Sequence, residues 1–203
     1  MNIKYLIIIN LMVSNVMCQK NDSIDKKFNI DEITLKNFEN KLFLDTLNCQ
    51  NHFSSDYKIK KFKNLSLKIP RSDSILFYKL NNFKVLEILD DKNINNTFSL
   101  LETKKAECSE NYLFESFKYN ILSNLFSNNL KDFGSSYMEN LGKIYWAKVI
   151  TKVEEIKLYD LQIMFIDKCD DNLFLINVSS TKKNLFEDTI CNFHPIIKSI
   201  RVN

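Results

Sequence analysis

The stretch KIYWAKVITKVEEIKLYDLQIMFIDKCDDNLFLINV, residues 143–178, decides the fold. Three runs within it are rich in β-branched and aromatic residues, which are enriched in strands: 143–153, 158–166 and 173–178. The last two runs are joined by DKCDDN, whose Asp and Asn residues favour a turn. The pattern predicts three consecutive antiparallel strands, with Asp170 and Asp171 at the tip of a hairpin.

The segment before this meander has helical periodicity. Residues 109–126 read SENYLFESFKYNILSNLF, and Ser109 can cap the first turn. Apolar side chains recur at every fourth position, which places them on one face of a helix: Leu113, Phe117, Ile121 and Leu125. The sequence therefore predicts an amphipathic helix whose apolar stripe packs on the sheet.

A second helix is predicted after the meander. Asn184 can cap it, and Glu187 stands three residues later in the capping-box position. Ile190 and Phe193 begin its apolar face. Because proline lacks a backbone N–H, Pro195 predicts that the regular helix ends or kinks near Phe193.

The rest of the chain completes the predicted order of elements. Alternation over 57–69 indicates two short strands, separated near Asn64 and ended by Pro70, and further strands are predicted at 83–89 and 98–102. Residues 31–47 have the spacing of a helix. Strands grouped between helices indicate an α+β fold, in which an antiparallel sheet carries helices packed on it.

Three stretches together resemble the PsbP-like superfamily: FKNLSLKIP at 62–70, the helix at 109–126, and the ending YDLQIMFIDKCDDNLFLINVSSTKKNLFEDTICNFHPIIKSI at 159–200. The resemblance covers about residues 57–203 and implies an α/β/α sandwich. Members of this superfamily are accessory or binding proteins, so the resemblance also implies a protein that is not an enzyme and that binds a partner or ligand.

The first residues have the form of a secretory signal. Lys4 is followed by the short apolar run YLIIINLMV, and the chain becomes polar from Gln19, within VMCQKN at 16–21. Cleavage after Cys18 would leave Gln19 as the first mature residue, and a lipid anchor on Cys18 is the alternative. The expected organisation is a signal peptide at 1–18, a polar tether and helix at 19–56, and a single domain at 57–203.

Composition limits the classes of partner. The formal net charge is only +3, which gives no electrostatic footprint for nucleic-acid binding. The lysine-rich run at 58–61 is interpreted as the solvated face of a strand. The expected partner is another protein or an unknown ligand of the cell envelope, either in the periplasm or outside the cell, with membrane contact only if Cys18 carries a lipid.

Four cysteines remain after Cys18: Cys49, Cys108, Cys169 and Cys191. They permit two disulfides in any of three connectivities, and Cys191 can alternatively be a plain thiol in the core. Neither histidine has zinc-ligand spacing to a cysteine, and two glycines cannot build a phosphate loop. We therefore expect no catalytic residues, no cofactor and no metal.

The alternative is an envelope enzyme. It would use Cys191 with His194, three residues later, or a pair of carboxylates that the sequence does not reveal. For His194 a surface position before Pro195 is expected instead. The turn with Asp167 and its neighbours offers oxygen ligands for Ca²⁺, but it lacks the glycine and glutamate of a dedicated loop, so a solvated turn is expected. Trp146 is expected in the core of the sheet.

Overall fold

Two antiparallel sheets form most of the described structure. The computed structural model describes Cys49 and residues 56–80, 83–90, 93, 95–105, 110–118, 130–153, 155–167 and 172–203. Within these ranges the elements are β1 Tyr57–Phe62, β2 Leu65–Pro70, β3 Ser74–Leu80, β4 Phe83–Leu89, β5 Asn96–Lys105, α1 Glu110–Phe117, β6 Leu130–Met138, β7 Gly142–Val153, β8 Ile156–Asp167, β9 Asn172–Ser180, a 3₁₀ turn Lys183–Leu185, α2 Phe186–Ser199 and β10 Arg201–Val202.

The larger sheet has the order β3-β4-β5-β9-β8-β7-β6, and every pair of neighbours is antiparallel. The three strands predicted at 143–178 are β7, β8 and β9, and they pair consecutively, so this prediction is confirmed. Two meanders, β3–β5 and β6–β9, meet at the β5–β9 pair. The hairpin tip with Asp170 and Asp171 lies outside the described residues.

A small sheet covers part of one face of the large sheet. The β1–β2 hairpin turns at Lys63, which adopts a positive φ of 59°, and β10 pairs with the other edge of β2. The inward side chains of β2 are Leu65, Leu67 and Ile69, and they join α2 and the large sheet in the first hydrophobic core. This core also contains Trp146, which confirms the position expected for it.

Helix α1 covers part of the second face. Leu113 and Phe117 are buried there with Phe114, and both aromatic rings lie 5.7 Å from the ring of Tyr145 on β7. The predicted stripe is therefore buried at its first two positions. Ile121 and Leu125 lie outside the described residues, as does the helix predicted at 31–47.

The α+β fold class is wrong. In the part of the chain that the structure describes, strands make up 63% and helix only 21%, in two sheets, so the fold is β-rich. The error arises on the face of the large sheet that α2 covers, where the predicted sandwich has a layer of helices alone. The β1–β2 hairpin and β10 occupy much of that face and bury their own apolar residues beside α2.

The ends of α2 also differ from expectation. The helix continues through Pro195 to Ser199, because Ile196 and Ile197 beyond the proline are buried in the first core. It begins at Phe186, after the 3₁₀ turn, and its N-cap residue makes no side-chain capping hydrogen bond. The capping box predicted from Asn184 is therefore not formed.

Candidate functional site

The second face of the large sheet carries a stripe of buried polar side chains. Glu87 of β4 lies opposite Ser99 of β5, Ser99 lies opposite Asn177 of β9, and Asn177 lies opposite Gln162 of β8. Directly opposed residues share a face in antiparallel strands, so the four side chains form one row. All four are buried. The row is unusual because sheet faces that pack in a core are mostly apolar.

Asp160 lies in the next row and is completely buried. Its carboxylate accepts hydrogen bonds from the Ser179 hydroxyl at 2.6 Å and from the Thr151 hydroxyl at 3.0 Å. The Asn177 side-chain amide in turn donates to the Ser179 oxygen at 2.8 Å. Hydrogen bonds to a carboxylate are stronger than those between neutral groups, so this network joins β7, β8 and β9 beneath the surface.

Tyr78 of β3 lies beside Glu87 at one end of the stripe. Burial raises the pKa of the Tyr78 hydroxyl above its ordinary value of 10.0, and the negative charge of Glu87 raises it further. The hydroxyl therefore stays protonated at neutral pH, and it can act there only as a neutral hydrogen-bonding group.

The stripe does not provide a pair of catalytic carboxylates. Glu87 and Asp160 are separated by three strand spacings (β4 to β8), or roughly 14 Å. Two carboxylates that act together across a substrate lie about 5–9.5 Å apart. Within the described ranges, no cluster of three or more His, Cys, Asp or Glu side chains could hold a metal ion.

The structure places the predicted cysteine and histidine differently from expectation. Cys191 forms a disulfide with Cys49, with 5.1 Å between their Cα atoms, so the prediction of a plain core thiol is wrong. A sulfur in a disulfide is not a thiolate, and the oxidised protein cannot use it as a nucleophile. His194 is buried rather than on the surface, because it lies on the inner side of α2 between Ile190 and Ile197.

The acidic turn after β8 is not solvated at its first residue. Asp167 is buried, and its carboxylate accepts a hydrogen bond from the side-chain amide of Asn64 in the β1–β2 turn. This hydrogen bond connects the turn of the small sheet to the end of β8. The expectation of a solvated turn is therefore wrong for Asp167, and Asp170 and Asp171 lie outside the described residues together with His52.

Three exposed hydrophobic side chains stand at the sheet edges. Among the described residues, the large hydrophobic side chains with high exposure are Ile59 at 62%, Phe77 at 54% and Tyr137 at 70%. Ile59 is on β1, the outer strand of the small sheet, and Phe77 and Tyr137 are on β3 and β6, the two outer strands of the large sheet. We call Ile59, Phe77 and Tyr137 the edge hydrophobics.

Sequence reasoning missed the edge hydrophobics. The sequence pattern indicated a solvated lysine-rich strand face around Ile59, and it predicted neither β3 nor β6 as a strand. The available signal was the alternation in SILFYKL at 74–80, where Ser74, Leu76 and Tyr78 face one side while Ile75, Phe77 and Lys79 face the other. None of the described helices is both long and apolar enough to cross a membrane.

Comparison with known proteins supports the fold alone. No protein-family model and no curated protein matches this sequence. A Bacteroides thetaiotaomicron protein of known structure has a TM-score of 0.50 to this chain at 8% identity, over 74% of this chain and 49% of that one. This chain thus spans about half the length of that protein. A Pseudomonas aeruginosa protein of unknown function has a TM-score of 0.39 at 12% identity, over 71% of this chain and 92% of that one.

Proposed function

We propose that this protein is an exported, non-enzymatic binding module that holds another protein of the cell envelope at its sheet edges. The observation that carries the proposal is the position of the edge hydrophobics, each on the outermost strand of its sheet. An exposed sheet edge can accept an extended segment of a partner as an added strand, and the exposed side chains of that edge then contact the partner. In that mode the main-chain hydrogen bonds give affinity, and alternate side chains give specificity.

The disulfide between Cys49 and Cys191 supports the export part of the proposal. Disulfides persist in the periplasm and outside the cell, and they are rare in a reducing cytosol. The signal-like pattern at 1–18 agrees with this. Intact mass spectrometry of protein recovered from the envelope or the medium tests it: we expect the mature chain to begin at Gln19 without lipid. A diacylglycerol group on Cys18 would contradict simple secretion and place the protein on a membrane.

The binding part is tested with three single variants, Ile59→Lys, Phe77→Lys and Tyr137→Lys. Each puts a charge in place of an exposed apolar side chain, so each should keep the melting temperature of the parent within the small range typical of surface changes. Asn184→Lys is the matched control, because Asn184 is exposed, lies away from the sheet edges and gains the same charge.

The measurement is quantitative mass spectrometry of proteins cross-linked to the immobilised chain in an envelope extract. We expect at least one edge variant to lose a cross-linked protein that the parent and Asn184→Lys both retain. If all three edge variants keep the same cross-linked proteins as the parent, the edges are not the binding surface and the proposal fails.

A further inference from the structure

Among the described strands, β3 is a regular edge of the large sheet. Its seven residues pair with β4 in an unbroken register from Ser74 opposite Leu89 to Leu80 opposite Phe83. No strand of the described part of the chain pairs with its other side. Alternate backbone N–H and C=O groups of an antiparallel strand point away from its partner, so this side presents hydrogen-bonding groups to whatever approaches it.

The opposite edge of the sheet is built differently. The β6–β7 register shifts between Leu130 and Asp132, as at a bulge, and the strand contains Gly134. Bulges and charged residues are devices by which natural proteins stop edge strands from pairing with other chains. Strand β3 has an unshifted register and no proline, and its single charge is Lys79. Apart from Lys79, β3 lacks these devices, so it is better suited to pairing than β6.

The sequence of β3 is complementary to itself in one antiparallel register. If Leu76 lies opposite Leu76 of a second copy, Ile75 lies opposite Phe77 and Asp73 lies opposite Lys79, each of these two pairs occurring twice by symmetry. Pairs of aromatic with β-branched residues, and pairs of opposite charge, stabilise neighbouring antiparallel strands. Ser74 then lies opposite Tyr78, which leaves no like charges facing each other across this seven-residue register.

We propose that two copies of this chain pair through β3 about a two-fold axis at Leu76, which joins their large sheets into one continuous sheet. The proposal rests on the proposed function, because it names the occupant of one of the sheet edges. Phe77, now 54% exposed, becomes covered by Ile75 of the second copy. The lysine side chain of Lys79, which lies opposite Lys84 within its own sheet, gains a carboxylate partner.

The test is sedimentation velocity of the mature, oxidised protein across a wide range of concentration. We expect a reversible dimer, and we expect Phe77→Lys to weaken it about tenfold or more, since each copy loses an apolar pair at the centre of the interface. Asn184→Lys, which adds the same charge away from β3, should dimerise as the parent does.

Two charge variants distinguish this register from any other use of the edge. Asp73→Lys alone places two lysines opposite each other at both ends of the interface, and Lys79→Asp alone places two aspartates there, so each variant should be monomeric. An equimolar mixture of the two should form a mixed dimer, because every facing pair then has opposite charges. A structural effect of either substitution on its own chain cannot produce that recovery.

Two results would overturn the pairing. The first is a parent protein that stays monomeric at every concentration, and the second is a dimer that Phe77→Lys leaves unchanged. A monomeric parent whose cross-linked envelope proteins are lost on Phe77→Lys overturns the pairing and leaves the proposed function standing. Failure of the proposed function shows instead as three edge variants that all keep the cross-linked proteins of the parent, whatever their self-association.

Discussion

Substitution of Gly134 by alanine tests how closely β6 packs against the indole ring of Trp146 on β7. Gly134 lies opposite Trp146, and a Cβ atom placed on Gly134 would meet Cζ2, Cε2 and Nε1 of the indole at 3.0, 3.1 and 3.3 Å. The ring cannot move aside without disturbing its neighbours, because it is almost completely buried in the first core. The φ of Gly134 is not positive, so the contact with the ring, rather than backbone conformation, requires a glycine here.

The expected magnitude follows from two opposing terms. Adding a methylene-sized group to a packed core destabilises by about 1–3 kcal/mol. Replacing a glycine within a strand relieves about 0.5–1 kcal/mol of backbone entropy. The difference of the two terms spans about 0–2.5 kcal/mol. We expect Gly134→Ala to lower the free energy of unfolding by about 1–2 kcal/mol, within that range, which lowers the melting temperature by roughly 2–8 °C for a chain of this size.

The assay is urea denaturation followed by far-ultraviolet circular dichroism, in four chains: the parent, Gly134→Ala, Trp146→Phe and the double variant. Tryptophan fluorescence is a second probe only in the two chains that keep Trp146, the single tryptophan of the sequence. Because phenylalanine lacks the atoms that the new Cβ would meet, Gly134→Ala should cost little or nothing in the Trp146→Phe background, a coupling of about 1–2 kcal/mol.

Gly142→Ala is the matched control. Gly142 has a φ of +75° and nothing lies within 4 Å of a Cβ placed there, so its substitution should destabilise through the backbone alone, and equally in both backgrounds. If Gly134→Ala destabilises equally with and without the indole, or does not destabilise the parent at all, the argument from the contact with Trp146 is refuted.

Three further predictions concern the core beneath α1, the disulfide and Tyr78 of β3. Phe117→Ala should lower the free energy of unfolding by about 3–5 kcal/mol, measured by urea denaturation, because the ring is fully buried against Tyr145; an unchanged midpoint would place it at a surface. Cys191→Ser should lower the free energy of unfolding by up to about 5 kcal/mol, since the bond to Cys49 joins residues 142 positions apart. A reducing agent breaks that bond in the parent, so it should lower the stability of the parent and leave that of the variant unchanged. The pKa of Tyr78 is raised in the folded state, so its contribution to stability is present below pH 10 and is lost as the pH rises above 10. Tyr78→Phe should flatten that alkaline loss in a series of melting temperatures, and an unaltered slope would contradict the assignment.

The sequence predicted the strands whose own residues prefer a sheet. β7, β8 and β9 are dense in apolar and β-branched residues, and the turn chemistry of DKCDDN predicted that β8 and β9 form a hairpin. β6 was not predicted, because Asp132, Gly134 and two serines disfavour a strand. That strand forms since pairing with β7 outweighs its own preferences. β10 has two residues, too few for any periodicity, yet it completes the small sheet that overturned the predicted fold class.

The candidate sites show the same division between local and distant information. His194 could have been predicted as buried, because it stands four residues after Ile190 on the inner face of the same helix. The bond between Cys49 and Cys191 could not, since no local pattern specifies a partner 142 residues away. The polar stripe depends on register across four strands: Ser99 and Asn177 become neighbours only when β5 pairs with β9.

The disulfide also has a consequence for the order in which the protein matures. Synthesis proceeds from the N-terminus, so Cys108 and Cys169 both become available to Cys49 before Cys191 does. The native bond joins Cys49 to a cysteine 142 residues later, on α2, so it cannot form before Cys191 has been synthesised. An early bond from Cys49 to either intervening cysteine must then be exchanged by thiolate attack, a reaction that takes seconds to hours and that isomerases accelerate. Production in an oxidising compartment that lacks a disulfide isomerase should therefore accumulate mispaired chains, even where the sheets themselves form quickly.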